Sequence, residues 1–188
     1  KVAEETGLII QIGNWIIKEA TRQTADWQQQ FPNSNPFAIS INLSAKQLMH
    51  PPLVAQIREV LAEANLNPHS LRLEVTESVV MGNDEVALNV LNELSQIGVS
   101  LSTDDFGTGY SSLSYLHRFP FDSLKIDRSF IGQIETDKKS SEIVRTILML
   151  AQNLNLEAIA EGIETEEQLK QLQMLGCRFG QGYLFSKP

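Results

Sequence analysis

The sequence predicts an α/β fold, a (β/α)₈ barrel of the TIM type, with about six of the eight strands inside these 188 residues. Strand-like and helix-like segments alternate along the chain with short connections, which is typical of parallel strands with helices outside. Within the strands, apolar residues alternate with small or polar ones, as Ile39 and Ile41 do with Ser40 and Asn42. Because an open sheet covered by helices on both sides is apolar on both faces, this pattern favours a barrel over a doubly wound sheet.

The first half of the chain begins with a long predicted helix over residues 3–30. Its apolar face is expected to point inward through Leu8, Ile12, Trp15, Ile16 and Ile17. The prolines at 51–52 suit a helix start, and Gly98 suits a helix end. The elements predicted after the first helix are a strand at 37–42, a helix at 51–66, a strand at 71–78 and a helix at 84–98.

The second half repeats the same unit. Its predicted elements are a strand at 99–104, a short helix near 111–118, a strand at 123–127, a helix at 139–154, a strand at 157–161, a helix at 165–175 and a strand at 177–181. Since no linker divides the chain, we expect one domain over residues 1–188. The start at Lys1 without an initiator Met indicates a piece of a longer protein, with two barrel strands upstream.

The composition excludes several classes of protein. The net charge is −8 and the sequence has no long basic run, which argues against binding to duplex nucleic acid. No apolar run reaches the roughly 20 residues of a membrane helix, so we expect a cytoplasmic segment, with a membrane anchor possible elsewhere in the parent protein. The single cysteine, Cys177, excludes an internal disulfide and a cysteine zinc site.

Polar side chains recur where the predicted strands end. Because functional groups of barrel enzymes lie at the carboxyl ends of the strands, these residues are expected to share one site. They are Asn42, Glu74, Asp104, Asp105, Lys125, Asp127, Glu161 and Gln181.

Several carboxylates in one place repel each other unless cations neutralise them, and oxygen donors suit Mg²⁺ or Mn²⁺. The adjacent Asp104 and Asp105 fit two divalent ions, one carboxylate bridging both and the other binding one. Lys125 adds a positive group for water or phosphate. Alone, an Asp pair before Gly is more often a turn or helix cap, and Glu74 or Lys125 more often belongs to an interior ion pair. Together, the strand ends predict metal-dependent phosphoester hydrolysis.

Six motifs then carry a family resemblance: NLS at 42–44, EVTES at 74–78, DDFGTGYSSLSYL at 104–116, KIDRSFI at 125–131, EGIET at 161–165 and QGYLFSKP at 181–188. In this order and spacing they resemble EAL domains, the cyclic-di-GMP-specific phosphodiesterases of bacterial signalling proteins. The resemblance covers the whole chain and implies Mg²⁺- or Mn²⁺-dependent opening of cyclic di-GMP to linear pGpG.

The resemblance also implies roles for individual residues. One metal is expected on Asn42, Glu74 and Asp104, and a second on Asp104, Asp105 and Glu161. The catalytic residues implied are Lys125, which orients the attacking water, with Asp105 and Glu161. Glu77 is expected to anchor the loop after the Asp pair, and the supporting residues are Asp127, Glu164 and Gln181. The loop and helix at 104–118 imply a homodimer.

The main departure of the chain from the family pattern is that the Glu-Ala-Leu stretch is absent. That stretch supplies a further Glu ligand, so we expect these 188 residues alone to aggregate or to lack activity. Family architecture implies sensory or GGDEF domains in the parent protein. Two alternatives stay open: a non-catalytic cyclic-di-GMP receptor, and a metal-dependent phosphodiesterase for another cyclic nucleotide.

Overall fold

The computed structural model describes residues 2–32, 37–81, 84–108 and 113–187. They form two compact units, the first made of Lys1–Leu101 with Arg118–Pro120 and the second of Ser102–His117 with Phe121–Pro188. Each unit is built from parallel strands that alternate with helices, as the sequence predicts.

The described residues of the first unit form two paired strands, β1 and β2, and six α-helices. They are α1 (Val2–Thr6), α2 (Leu8–Gln30), β1 (Ile39–Asn42), α3 (Ala45–Leu48), α4 (Leu53–Glu63), a single 3₁₀ turn (Pro68–Ser70), β2 (Leu71–Thr76), α5 (Glu77–Met81) and α6 (Asp84–Ile97). The strands run parallel with Asn42 opposite Glu74, so both predicted site residues lie at the carboxyl ends of their strands. Gly98, at a φ of 98°, follows α6 as predicted.

The prediction for the first helix was wrong in two respects. The helix is broken at Gly7, whose φ is 81°, a backbone conformation that ends α1 and precedes α2. The predicted inward face is also largely outside, since only Ile17 is buried and Trp15 is 68% exposed. The other exposed members of that face are Leu8, Ile12 and Ile16.

Small residues explain which face of α2 is buried. Its buried positions are Gly13, Ile17, Thr21, Thr24 and Ala25. A Cβ added at Gly13 lies 1.9 Å from the Gln47 side-chain nitrogen, so the helix approaches α3 more closely than a larger residue allows. The close approach of α2 to α3 therefore determines which face of α2 is buried, and the more apolar face is exposed.

The second unit contains four strands that pair in parallel in the order of the chain, β3–β4–β5–β6. Strand β3 begins in the first unit and continues into the second. The elements are β3 (Ser100–Phe106), α7 (Leu113–Arg118), β4 (Ser123–Ile126), α8 (Arg128–Ile131), α9 (Lys138–Asn153), β5 (Glu157–Glu161), α10 (Glu166–Met174) and β6 (Phe179–Gln181).

Strand β4 shows how the two strand faces differ. All four of its residues are buried, with the apolar Leu124 and Ile126 alternating with the polar Ser123 and Lys125. A buried ammonium such as that of Lys125 requires partners, and these belong to the candidate site described below. Among the described residues, no helix combines the length and the apolar character that crossing a bilayer requires.

Candidate active site

An irregularity in β3 brings two neighbouring carboxylates to one place. Successive side chains of a regular strand point to opposite faces, but the β3–β4 register shifts between Thr103 and Phe106. Within this bulge Asp105 has a φ of 54°, in the left-handed region. Its backbone N–H donates to Oδ1 of Asp104 at 3.0 Å. The bulge lets Asp104 and Asp105 each offer an oxygen to the same cluster.

The third carboxylate of this cluster comes from the end of β5. Ligand oxygens of Asp104, Asp105 and Glu161 all lie within 4.8 Å of one another. Asp104 is buried, Glu161 is half-buried and Asp105 is exposed, so the cluster opens toward solvent on one side. Three carboxylates at this separation are a donor set that fits a hard divalent cation.

A buried lysine on β4 lies against the cluster. Nζ of Lys125 is 2.5 Å from Oε1 of Glu161 and 3.3 Å from Oδ1 of Asp104, and the residue is 4% exposed. The same Glu161 oxygen accepts a hydrogen bond from Nε2 of Gln181 at 2.7 Å. The structure therefore brings together, from four adjacent strand ends, five of the residues that the sequence singled out.

The carboxyl of Asp105 has a raised pKa. Partial burial is the largest cause, followed by the negative charges of Asp104 and Asp127. The positive charges of Lys125 and Arg128 act in the opposite direction. Ionisation of Asp105 therefore lowers the stability of the folded protein, and a bound cation would offset this effect.

This shift predicts a gain in stability for Asp105→Asn in EDTA. Because the pKa of Asp105 is raised in the folded state, the folded protein loses stability as pH rises through that pKa. The stability gained by Asp105→Asn is therefore expected above the raised pKa, and no gain is expected below the ordinary value of 3.8. Because the side chain is exposed and solvent screens its charge, the gain at neutral pH is about 0.5 kcal/mol. Urea unfolding at several pH values measures it.

Asp137→Asn is the control, and its expected change in stability has the opposite sign. Hydrogen bonds from Ser140 and from the backbone of Lys139 lower the pKa of Asp137, which caps α9. Its replacement is expected to destabilise the protein above the lowered pKa. A variant Asp105→Asn that is less stable than its parent at neutral pH contradicts the assignment.

The remaining predicted site residues lie in varied surroundings. The Asp127 carboxylate caps α8 by accepting from the backbone N–H of Ser129 at 2.9 Å and from its hydroxyl. Glu164 is exposed. In the first unit, Asn42 is exposed, Glu74 is buried beside it in register, and Glu77 is buried at the start of α5. Part of the predicted dimer segment, residues 109–112, lies outside the described residues.

A cavity of about 520 Å³ lies next to Glu161 and Gln181. Its basic residues, Arg128 and Lys187, were not among the predicted site residues, although Arg128 directly follows the KID motif. Gly162 allows its wall to form, since it has a φ of 72° and an added Cβ lies 2.6 Å from Cβ of Arg128. Lys187 lies over the ring of Tyr183 at 5.9 Å. The cavity thus joins an acidic cluster to a basic, partly aromatic wall.

Comparison with known proteins extends these observations over the whole chain. The family model described as the EAL domain matches residues 1–188. A relative from Pseudomonas aeruginosa, the bifunctional diguanylate cyclase/cyclic di-GMP phosphodiesterase MucR, is 46% identical over 187 residues, which is 100% of this chain and 27% of that protein. The chain spans about a quarter of the length of this relative.

Solved structures agree with the fold. The PaMucR phosphodiesterase in complex with c-di-GMP matches with a TM-score of 0.94 at 46% identity, covering 100% of this chain and 75% of that one. Klebsiella pneumoniae BlrP1, in a manganese/cyclic-di-GMP complex, matches with a TM-score of 0.81 at 34% identity, covering 93% of this chain and 45% of that one. The predicted fold class, a TIM-type barrel, is confirmed, and the part of the chain that the structure describes contains six strands.

Proposed function

The chain belongs to the EAL domain family, and from that membership we propose that it hydrolyses cyclic di-GMP to linear pGpG with the help of divalent cations. The observation that carries the proposal is the carboxylate cluster of Asp104, Asp105 and Glu161 with Lys125 buried against it. The relative MucR is named a cyclic di-GMP phosphodiesterase, and its structure is a c-di-GMP complex.

The donor set supports Mg²⁺ or Mn²⁺ as the cation. Asp104, Asp105 and Glu161 are the residues proposed to hold it, and a manganese complex of BlrP1 supports the use of such an ion. Bound there, a divalent cation supplies Lewis acidity to the phosphoryl oxygens. Asn42 and Glu74 stay predicted ligands, on their positions at the strand ends and on the family resemblance. The supporting roles of Glu77, Asp127 and Glu164 stay predictions on the family resemblance.

The residues of the chain orient the reactants. In the proposed reaction a water oxygen bonds to phosphorus, the bond from phosphorus to the 3′ oxygen breaks, and that oxygen takes up a proton. Lys125 is proposed to hold the water, since its ammonium has three donors and lies between Asp104 and Glu161. Gln181 fixes Glu161 by its hydrogen bond at 2.7 Å.

The cavity beside the cluster suits the rest of the substrate. Cyclic di-GMP carries two phosphates, and a chain with a net charge of −8 needs local positive charge to hold an anion. Arg128 and Lys187 supply that charge on the cavity wall. We propose that Arg128 contacts the phosphate that is not cleaved.

Replacing Arg128 with glutamine is expected to raise KM for cyclic di-GMP about tenfold, the equivalent of one charge-assisted hydrogen bond. The effect on kcat is expected to stay within about threefold, because the residue binds ground state and transition state alike. Steady-state kinetics of pGpG formation measures both. Arg178→Gln, an exposed arginine that lies in another cavity, is the control. An unchanged KM for the Arg128 variant contradicts this role.

The proposed activity is tested on the full-length protein that contains this chain. It is incubated with cyclic di-GMP and Mg²⁺ or Mn²⁺, with and without EDTA, and the nucleotides are separated by chromatography. Metal-dependent formation of pGpG supports the proposal. Intact cyclic di-GMP that stays bound to the protein indicates a receptor, and cleavage of only other cyclic nucleotides indicates a different phosphodiesterase.

The wider setting of the chain is also part of the proposal. Its relative MucR is a bifunctional protein of which this chain matches 27%, which supports sensory or GGDEF domains in the parent protein. We propose a homodimer through the segment 104–118, and a cytoplasmic location. The single cysteine, which permits no internal disulfide, agrees with a reducing compartment.

A further inference from the structure

We infer that Lys125 competes with the divalent cation for Asp104 and Glu161, and so lowers the affinity of the site for that cation. The inference rests on the proposed function, because it concerns the carboxylates proposed to hold the metal. It assigns to Lys125 a role in metal loading, separate from its role toward water.

The competition follows from shared partners. Nζ of Lys125 lies 2.5 Å from one Glu161 oxygen and 3.3 Å from one Asp104 oxygen. These two residues are also two of the three whose oxygens cluster within 4.8 Å. A cation held by that cluster therefore lies within a few ångströms of the ammonium group.

Burial makes the repulsion between the two positive charges effective. Lys125 is 4% exposed, and two charges a few ångströms apart in a partly desolvated site are weakly screened by water or salt. Three carboxylates and one ammonium leave a formal charge of −2 at the cluster. Without the ammonium the charge is −3, which attracts a dication more strongly.

The opposite effect, loss of carboxylate positioning, is smaller because each carboxylate has a second donor. Asp104 accepts the backbone N–H of Asp105 at 3.0 Å, and Glu161 accepts Nε2 of Gln181 at 2.7 Å. Both contacts survive the removal of Lys125. The net expected effect of removing the ammonium is therefore tighter cation binding.

The consequence is a site whose loading depends on the cation concentration. Glu161 and Asp104 would hold the cation, and a Glu161 carboxylate engaged in that way would leave ammonium donors of Lys125 available to water or phosphate. Binding of a cation and the availability of the Lys125 donors are thereby coupled.

The test is Mn²⁺ affinity of the full-length protein in the absence of nucleotide, measured from the EPR signal of free Mn²⁺. Lys125→Met, of similar length and without charge, is expected to lower the Kd for Mn²⁺ about tenfold or more. Lys125→Arg, which keeps the charge, is expected to stay within about threefold of the parent. Lys170→Met removes the same charge from an exposed position of α10 and is expected to change little.

A Kd for Lys125→Met that is equal to or higher than the parental value overturns the inference. If Lys125→Met does not fold, judged by circular dichroism, Lys125→Gln replaces it with the same expectation. The readout separates the two proposals: Mn²⁺ binding can tighten as expected in a protein that fails to cleave cyclic di-GMP. That result would support the competition between Lys125 and the cation and would contradict the proposed activity.

Discussion

Asp104→Ala is expected to abolish metal-dependent hydrolysis of cyclic di-GMP, with kcat lowered on the order of 10³-fold or more. Asp104 is buried, accepts the backbone N–H of Asp105, and lies 3.3 Å from the Lys125 ammonium. Its loss removes an oxygen donor from the cluster, so a divalent cation would be held more weakly there. The weaker hold lowers the stabilisation of charge that develops on the phosphate.

Asp104→Asn separates the charge from the shape of this side chain. The amide keeps one oxygen that can accept from Asp105, so the bulge is expected to persist and the melting temperature to change little. Turnover is still expected to fall at least 10²-fold, because a neutral oxygen holds a divalent cation weakly. Glu167→Gln, on the exposed surface of α10, is the charge-matched control. Near-parental kcat in Asp104→Asn would show that this carboxylate is not a metal ligand.

Lys125→Met is expected to reduce kcat by about 10²- to 10⁴-fold while KM changes by less than about threefold. The reason is that its ammonium, the donor proposed to hold water, lies between two carboxylates of the cluster. A methionine fills the same buried space without a donor. Quantified pGpG formation over a range of cyclic di-GMP concentrations separates the two kinetic constants.

The same variant links the kinetic and metal-binding results. Its kcat is expected to stay low at saturating Mn²⁺, because the defect is the missing donor and not weak metal loading. Recovery of parental turnover at high Mn²⁺ would instead assign Lys125 to metal retention alone. Lys125→Arg is expected to be intermediate, since the guanidinium keeps the charge but not the compact geometry.

Many of the helices and strands were predicted from the local pattern of apolar and polar residues. Strand β5 was predicted at 157–161 and is observed at Glu157–Glu161. The short helices α3, α5 and α8 were missed, since elements of four or five residues carry almost no periodicity. Helix α3 had one readable signal, the capping box of Ser44 and Gln47.

Strand β3 differs from its prediction at the Asp pair. It was predicted to end at 104 but continues to Phe106 through the bulge at the Asp pair. Strict alternation assigns Asp104 and Asp105 to opposite faces. Their presence in one cluster accompanies the register shift of β3 and the left-handed backbone of Asp105.

By itself, the sequence determined the family of the chain and pointed to the strand ends as the place where polar residues meet. Parallel strands bring their carboxyl ends to one edge of the sheet, so the sequence predicts that Asp104, Lys125, Glu161 and Gln181 lie together. Only the tertiary structure decided the pairings: Lys125 between Asp104 and Glu161, and Arg128 on the cavity wall under Gly162. The physical reason is that strand parity specifies the face of a side chain, whereas distances depend on register, bulges and close packing between strands.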